Sequence, residues 1–301
     1  LISTTLLLGI PARIAGCRTR ILCTPQDKQG QIDARILYAA GLCGISQIFT
    51  LGGAQAVAAM AYGTQSIPGV DKIFGPGNAY VTAAKIQASR DPQGAAYDLP
   101  AGPSEVCIIA DNSSHPDWVA ADLLSQAEHD PLSQVVLITT CAENGEKIRA
   151  ALGRQLTGLP RREIAQAAIS ASLMIVADTK EQALDISNAY APEHLILAFE
   201  GADSYTERIS HAGSVFLGPY TPEAAGDYCS GTNHVLPTYG HARRYSGLSV
   251  EAFQKSMTVQ EISRDGLGDL AETIQTLARM EGLDAHARAV EKRFEDETVE
   301  I

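Results

Sequence analysis

The segment Asp122-Leu-Leu-Ser-Gln-Ala-Glu-His-Asp130 places Gln126 and His129 three residues apart within a helical pattern. Residues at i and i+3 share one helix face. An amide oxygen and an imidazole nitrogen are therefore expected to converge on one point, as the holding of a metal ion requires. The plainer reading is a pair of polar residues on an exposed helix face, and glutamine is an uncommon metal ligand. Pro192-Glu193-His194-Leu195 is a second candidate. Pro192 should end a helix, and an apolar strand follows. Glu193 and His194 are then expected on a short loop at the strand's beginning. A base that titrates near neutral pH beside a carboxylate is what proton abstraction and water activation require. The alternative is a surface acid beside a strand-capping histidine.

The stretch from Ala225 to Pro237 is a third candidate, rich in small and polar residues and carrying Asp227 and His234. Its apolar end, Val235-Leu236-Pro237, favours a built loop over a flexible one. Asp227 reads as a metal ligand and His234 as a base or substrate donor. Ser104, in the rigid turn Gly102-Pro-Ser-Glu105, falls on a seam between two α/β units, where ligands often bind. Gly52-Gly53 and Gly75-Pro-Gly77 each follow a strand stub and precede a helix. Their amides could take a phosphate, or the glycines could serve only tight turns. Glu281 and His286, taken alone, are solvated helix residues. A hydrolase could use this set of groups, and so could a redox enzyme.

The elements that must position them alternate in type. Strands are expected at 18–24, 45–51, 72–74, 105–110, 133–139, 173–177, 195–198 and 214–217. Helices are expected at 32–42, 55–62, 80–89 and from Pro116 onward. This order implies parallel sheets with helices on both faces. The run Glu105–Ala110 is near-continuously apolar, as buried parallel strands are. After about Ser249 the strand signal stops, and 265–279 and 283–294 read as two helices with Gly282 as a C-cap. So small a helical tail cannot bury its own core and should pack on something else.

Length and composition narrow the class. The chain has 301 residues, 45% of them hydrophobic, with a net charge of −12. That balance argues against nucleic acid and anionic membranes as partners. The six cysteines form no Cys-x-x-Cys pair, which fits a reduced, cytoplasmic setting. No run of about 18 apolar residues predicts a membrane span. The apolar start at Leu1 lacks an initiator Met, a basic segment and a cleavage site, so an N-terminally truncated sequence is expected.

The segments at 51–64 (LGGAQAVAAMAYGT), 71–85 (DKIFGPGNAYVTAAK), 101–111 (AGPSEVCIIAD), 122–134 (DLLSQAEHDPLSQ), 191–197 (APEHLIL), 212–218 (AGSVFLG), 225–238 (AGDYCSGTNHVLPT) and 253–261 (FQKSMTVQE) resemble the histidinol dehydrogenase family, in order and along nearly the whole chain. The resemblance implies two incomplete Rossmann-like parallel-sheet domains and a small C-terminal helical domain. Residues 1–103 would form the NAD-side domain, 104–248 the remainder of the other, and 249–301 a dimerisation tail. It implies oxidation of L-histidinol to L-histidine through L-histidinaldehyde, with two NAD+ and one zinc per site, in a homodimer. By motif, Gln126, His129 and Asp227 become zinc ligands, and His286 a fourth ligand from the second subunit. Glu193 and His194 become the proton acceptors. Ser104, His234 and Glu281 become substrate contacts, beside the zinc ligands and His194. Gln55 and Asn78 become NAD contacts. Strands of the first domain and part of the NAD site would lie before Leu1, so this fragment is expected to bind NAD weakly or to lack turnover. Three other readings stay open: a related zinc- and NAD-dependent dehydrogenase of another hydroxy compound, a zinc hydrolase, and a non-catalytic fragment that only dimerises.

Overall fold

The chain begins with α1 (Ile2–Ile14), β1 (Ile21–Cys23), α2 (Ala34–Leu42), β2 (Gln47–Phe49), α3 (Gly53–Tyr62), β3 (Lys72–Ile73), α4 (Ala79–Arg90) and β4 (Ala96–Tyr97). In this computed structural model residues 2–100 and 102–295 are described. Leu1 and residues 296–301, the ends of the expected first and last domains, and Ala101 at the expected seam lie outside the described residues. β1 pairs with β2 and β3 with β4, each as a separate two-stranded parallel sheet. Local chemistry sets the helix starts. The Asp33 side chain accepts from the Arg35 amide at α2, and Asn78 Oδ1 accepts from the Tyr80 and Val81 amides at α4. β4 went unread because two residues are too few to show a period.

The second half of the alternation is β5 (Glu105–Ala110), α5 (Pro116–Ala127), β6 (Gln134–Thr139), α6 (Ala142–Leu156), α7 (Arg162–Ser170), β7 (Leu173–Val176), α8 (Lys180–Tyr190), β8 (His194–Leu197), β9 (Ser214–Leu217) and α9 (Glu223–Tyr228). Its strands form one parallel sheet in the order β7-β6-β5-β8-β9. Successive side chains of β5 point to opposite faces. Val106, Ile108 and Ala110 meet α5, α6 and α7 through Val119, Leu123, Ile148 and Ala165. Cys107 and Ile109 meet α8 and the segment after β8 through Leu184 and Phe199. Both faces are therefore covered, which is why β5 and β8 read as unbroken apolar runs. Each fully buried Ile or Leu here stabilises the fold by roughly 1.5–3 kcal/mol. Burial also pushes the Cys107 thiol up to about 12, leaving it an inert hydrophobe.

The chain moves outward from β5 to β6 to β7, then returns to set β8 on the other side of β5. The strand order thus reverses between β5 and β8, and ligands of open α/β sheets usually bind beyond the carboxyl ends of such a pair. Here that end is filled. Lys180 Nζ pairs with Asp111 Oδ2 at 2.8 Å and lies 4.2 Å from the Phe199 ring centroid. Asn144 Nδ2 donates to the Asp111 carbonyl at 2.6 Å, and Ser114 Oγ accepts from the Asp111 amide at 2.8 Å. The amino ends of the same two strands carry Ser104, Glu105, Glu193 and His194 instead.

Two compact units divide the chain, Leu1–Gln254 and Lys255–Ile301. In the second, α10 (Arg264–Met280) is capped by Ser263, whose hydroxyl accepts from the Gly266 amide. Gly282, at φ 74°, turns the chain into α11 (Asp284–Glu291), and Arg279 pairs with Glu291 across the two helices. No helix among the described residues is long and apolar enough to cross a membrane.

Candidate active site

Gln126 sits in the last turn of α5 and is 1% exposed, yet neither its Oε1 nor its Nε2 has a hydrogen-bond partner. A buried amide left unpaired costs about 1–3 kcal/mol, so this is a group built to meet a ligand. His129 corrects the expectation of a shared helix face. α5 ends at Ala127, Glu128 is its C-cap, and His129 lies beyond it, exposed. Its amide donates to the Gln126 carbonyl at 3.2 Å, so the turn that ends the helix, not the helix itself, sets its position.

Asp227 requires a second correction. It lies on α9, not on an irregular loop, and is buried. One helical turn earlier on the same face stands Glu223, a residue that sequence reading missed. Ligand atoms of His129, Glu223 and Asp227 all fall within 4.8 Å of one another. The available signal was the acid pair at i and i+4 after Pro222, unseen because no helix was expected there. Gly226 lets α9 dock closely. A Cβ there would come within 2.7 Å of the Phe216 ring on β9. Burial, with Asp227, Glu193 and Asp122 nearby, pushes the Glu223 carboxyl well above its ordinary range. Burial alone raises Asp122, one turn before Gln126, to about 7.

The two candidate proton acceptors sit beside this cluster. His194 is the first residue of β8 rather than part of a loop, and Glu193 immediately precedes it. Ala191, left-handed at φ 56°, ends α8 and turns the chain into them. His194 Nδ1 lies 3.0 Å from the Glu105 carbonyl. A carbonyl only accepts, so Nδ1 carries the proton and Nε2 keeps the free lone pair. That Nε2 is 3.8 Å from Asp227 Oδ1, and Nδ1 is 3.6 Å from Glu193 Oε2. Burial lowers His194 to about 4, against the opposing pull of Asp227. The ring is thus uncharged at neutral pH. Burial pushes Glu193 well above the usual carboxylate range, while the Glu105 amide at 2.8 Å and the Ser104 hydroxyl favour its charged form.

Glu105 ties these parts together. Its amide and carbonyl hold Glu193 and His194, and its Oε1 accepts from the Tyr239 amide at 3.0 Å. The Gly102 amide donates to Thr238 Oγ1 at 2.7 Å, so both ends of this clasp join β5 to the segment after His234. His234 Nε2 lies 3.2 Å from Thr4 Oγ1 on α1, and Asn233 Nδ2 donates to the Leu7 carbonyl at 2.6 Å. Burial lowers the His234 pKa, with Asp227 opposing.

The cofactor candidates lie elsewhere in the first unit and are exposed. Gly52 at the start of α3 offers no side-chain cap, which leaves room for an anionic group. The Gln55 amide folds back toward Gly53, whose Cβ would meet it at 2.9 Å. The Gly75-Pro-Gly77 loop differs. Its Gly75 amide donates to Asp98 Oδ2 at 2.8 Å, and Asn78 Oδ1 already caps α4. The Gly75 amide and Asn78 Oδ1 are thus already paired, and Asn78 retains its amide nitrogen as a free donor. Asp98 also pairs with Lys85 at 2.8 Å in a buried bridge. Glu281 caps the end of α10 and His286 lies on α11, both exposed and both in the second unit.

The donor set of Gln126, His129, Glu223 and Asp227 is nitrogen and oxygen without thiolate. The orphaned amide and the clustered carboxylates fit a divalent ion such as zinc in a site open to substrate. The sequence profile described as histidinol dehydrogenase matches residues 1–294. The histidinol dehydrogenase of Aliivibrio fischeri is 57% identical over 293 residues, covering 97% of this chain and 66% of that relative. That of Xylella fastidiosa is 56% identical over 294 residues, covering 98% and 68%. The crystal structure of histidinol dehydrogenase from Elizabethkingia anophelis superposes with a TM-score of 0.95 at 52% identity, covering 97% of this chain and 67% of that one. The chain thus spans about two thirds of the length of the curated relatives it matches. With its sequence matched almost end to end and its parallel-sheet fold shared, the chain belongs to the histidinol dehydrogenase family.

Proposed function

We propose that this chain carries the site at which L-histidinol is oxidised to L-histidine through L-histidinaldehyde, reducing two NAD+ in the last step of histidine biosynthesis. Family membership supports the reaction class. The observation that carries the residue-level reading is the meeting of a metal-type cluster, His129, Glu223 and Asp227, with an uncharged His194 whose Nε2 is 3.8 Å from Asp227. Gln126, His129 and Asp227 would hold zinc, with His286 of the partner subunit as a further ligand in a homodimer. Zinc, when bound, supplies a fixed positive charge that orients the nitrogens of the substrate. Gln55 and Asn78 would contact NAD+, which when bound would supply the hydride acceptor. The six unpaired cysteines are compatible with a cytoplasmic setting.

The side chains of this chain then divide the work. His194 Nε2 takes the alcohol proton as hydride leaves the carbinol carbon. Its Nδ1–H stays on the Glu105 carbonyl, which keeps the ring aimed. Glu193, released from the Glu105 amide or ionised in place, takes a proton from the water that adds to the aldehyde. A second hydride leaves the hydrated carbon. Ser104, His234 and Glu281 would position the substrate. The burial of Glu193 and His194 shields a reactive aldehyde from bulk water.

The test is an assay with L-histidinol and NAD+, run on this chain and on a version extended at its N-terminus to the length of its relatives. Two NADH should form per histidine, the activity should vanish on chelation, and zinc should restore it. Oxidation of other hydroxy compounds in preference to histidinol, or turnover indifferent to chelation, would reject the reading. Growth of NADH absorbance would exclude a zinc hydrolase.

A further inference from the structure

We propose that Glu223 is a metal ligand, and that Gln126, His129, Glu223 and Asp227 hold a divalent cation on one chain before a second copy adds His286. The proposal rests on the metal reading above and extends it to a residue outside the ligand set expected from the sequence. Glu223 and Asp227 stand one turn apart on α9, which packs against α5, the helix that carries Gln126. Their carboxylate oxygens lie within 4.8 Å of each other and of one His129 ring nitrogen. Glu223 is 1% exposed, and its Oε2 has no hydrogen-bond partner.

Two independent orphans, the Gln126 amide and the Glu223 carboxylate oxygen, thus come from two helices that touch. Among the described residues, neither Glu223 nor Asp227 pairs with a lysine or arginine. Two buried carboxylates that close repel each other unless a cation or a proton joins them. Two carboxylates, one imidazole and one amide oxygen make four donors from one chain, enough to hold a zinc whose shell can still expand for a further ligand. A single chain therefore has a full set, and the partner's histidine arrives at an ion already held.

The experiment measures zinc and cobalt(II) bound per chain after gel filtration, and the cobalt absorption spectrum, in the wild type and in H286A, E223Q and E223Q/H286A. H286A should keep about one ion per chain. E223Q should weaken zinc binding by about ten-fold or more, and the double variant should lose the ion. Circular dichroism checks folding. E223D, which shortens the side chain by one methylene and keeps the charge, serves if E223Q does not fold, and it too should bind more weakly. Complete loss of metal in H286A overturns the proposal, as does wild-type affinity in E223Q or E223D. H129A separates this from the broader reading: if H129A binds zinc like the wild type, the metal site itself is misassigned.

Discussion

At the scale of single residues, Glu193 and His194 differ in what their burial does, and that difference is testable. A Glu193→Gln variant should keep much of the first oxidation and lose most of the second, since only the second needs a proton taken from water. Transient kinetics that show equal losses in both steps would reject this division. His194 titrates at about 4 in the fold against 6.5 unfolded. As pH falls below 6.5 the unfolded chain takes up the proton first, so stability is lost between about 6.5 and 4, by up to about 1 kcal/mol per pH unit. His194→Asn should flatten that slope in melting curves of metal-free protein. Glu193 has the opposite sign. Its raised pKa means the fold holds a proton the unfolded chain has released, so its contribution is full below 4.5 and is lost as pH rises. Chemistry-bearing types at odd positions were legible here: Gln126, His129, Glu193, His194 and Asp227 stood out from the sequence. Glu105 and Glu223 did not. An acid at the head of an apolar run, and one in an unrecognised short helix, look like ordinary surface residues until the chain is folded.

At the scale of elements, the six-residue strand β5 was read to its exact ends because both its faces are covered and its apolar run is unbroken. Helix α9 and strand β4 escaped because six and two residues are too short for periodicity to show. The end of α5 at Ala127 escaped for a different reason. Glu128 and His129 continue the helical pattern in type, but the chain turns at the Glu128 cap. The glycine loop before α4 read equally as a phosphate cradle or a tight turn, and the fold shows its Gly75 amide donating to Asp98. That carboxylate meets Lys85 with both side chains almost fully buried. Removing one partner strands the other charge. Asp98→Asn should cost about 3–5 kcal/mol in chemical denaturation, far more than breaking an exposed pair such as Lys147–Glu143. A loss under about 1 kcal/mol would mean that water reaches Lys85 freely.

For the molecule as a whole, the second unit leaves Leu270, Leu277, Met280 and Leu283 substantially exposed on the single chain. Apolar groups gathered on so small a unit favour association. If the tail pairs with a second copy, Leu277→Asp should shift the protein from dimer to monomer in sedimentation and abolish turnover. It should leave zinc on the separate chain. A dimer that survives the substitution would place the pairing surface elsewhere. At this level the sequence showed a switch from mixed to purely helical pattern, and two helices, α10 and α11, stand there. It could not say which face meets what, since an exposed leucine and a buried one are the same letter.

The reversal point of the large sheet separates two duties. Its candidate chemistry gathers where β5 and β8 begin, while Asp111, Lys180, Asn144 and Phe199 seal the place where those strands finish, about 17 Å away along the strand. Heat resistance and turnover are thereby open to independent tuning. Lys180→Met should lower the melting temperature and leave Michaelis parameters untouched.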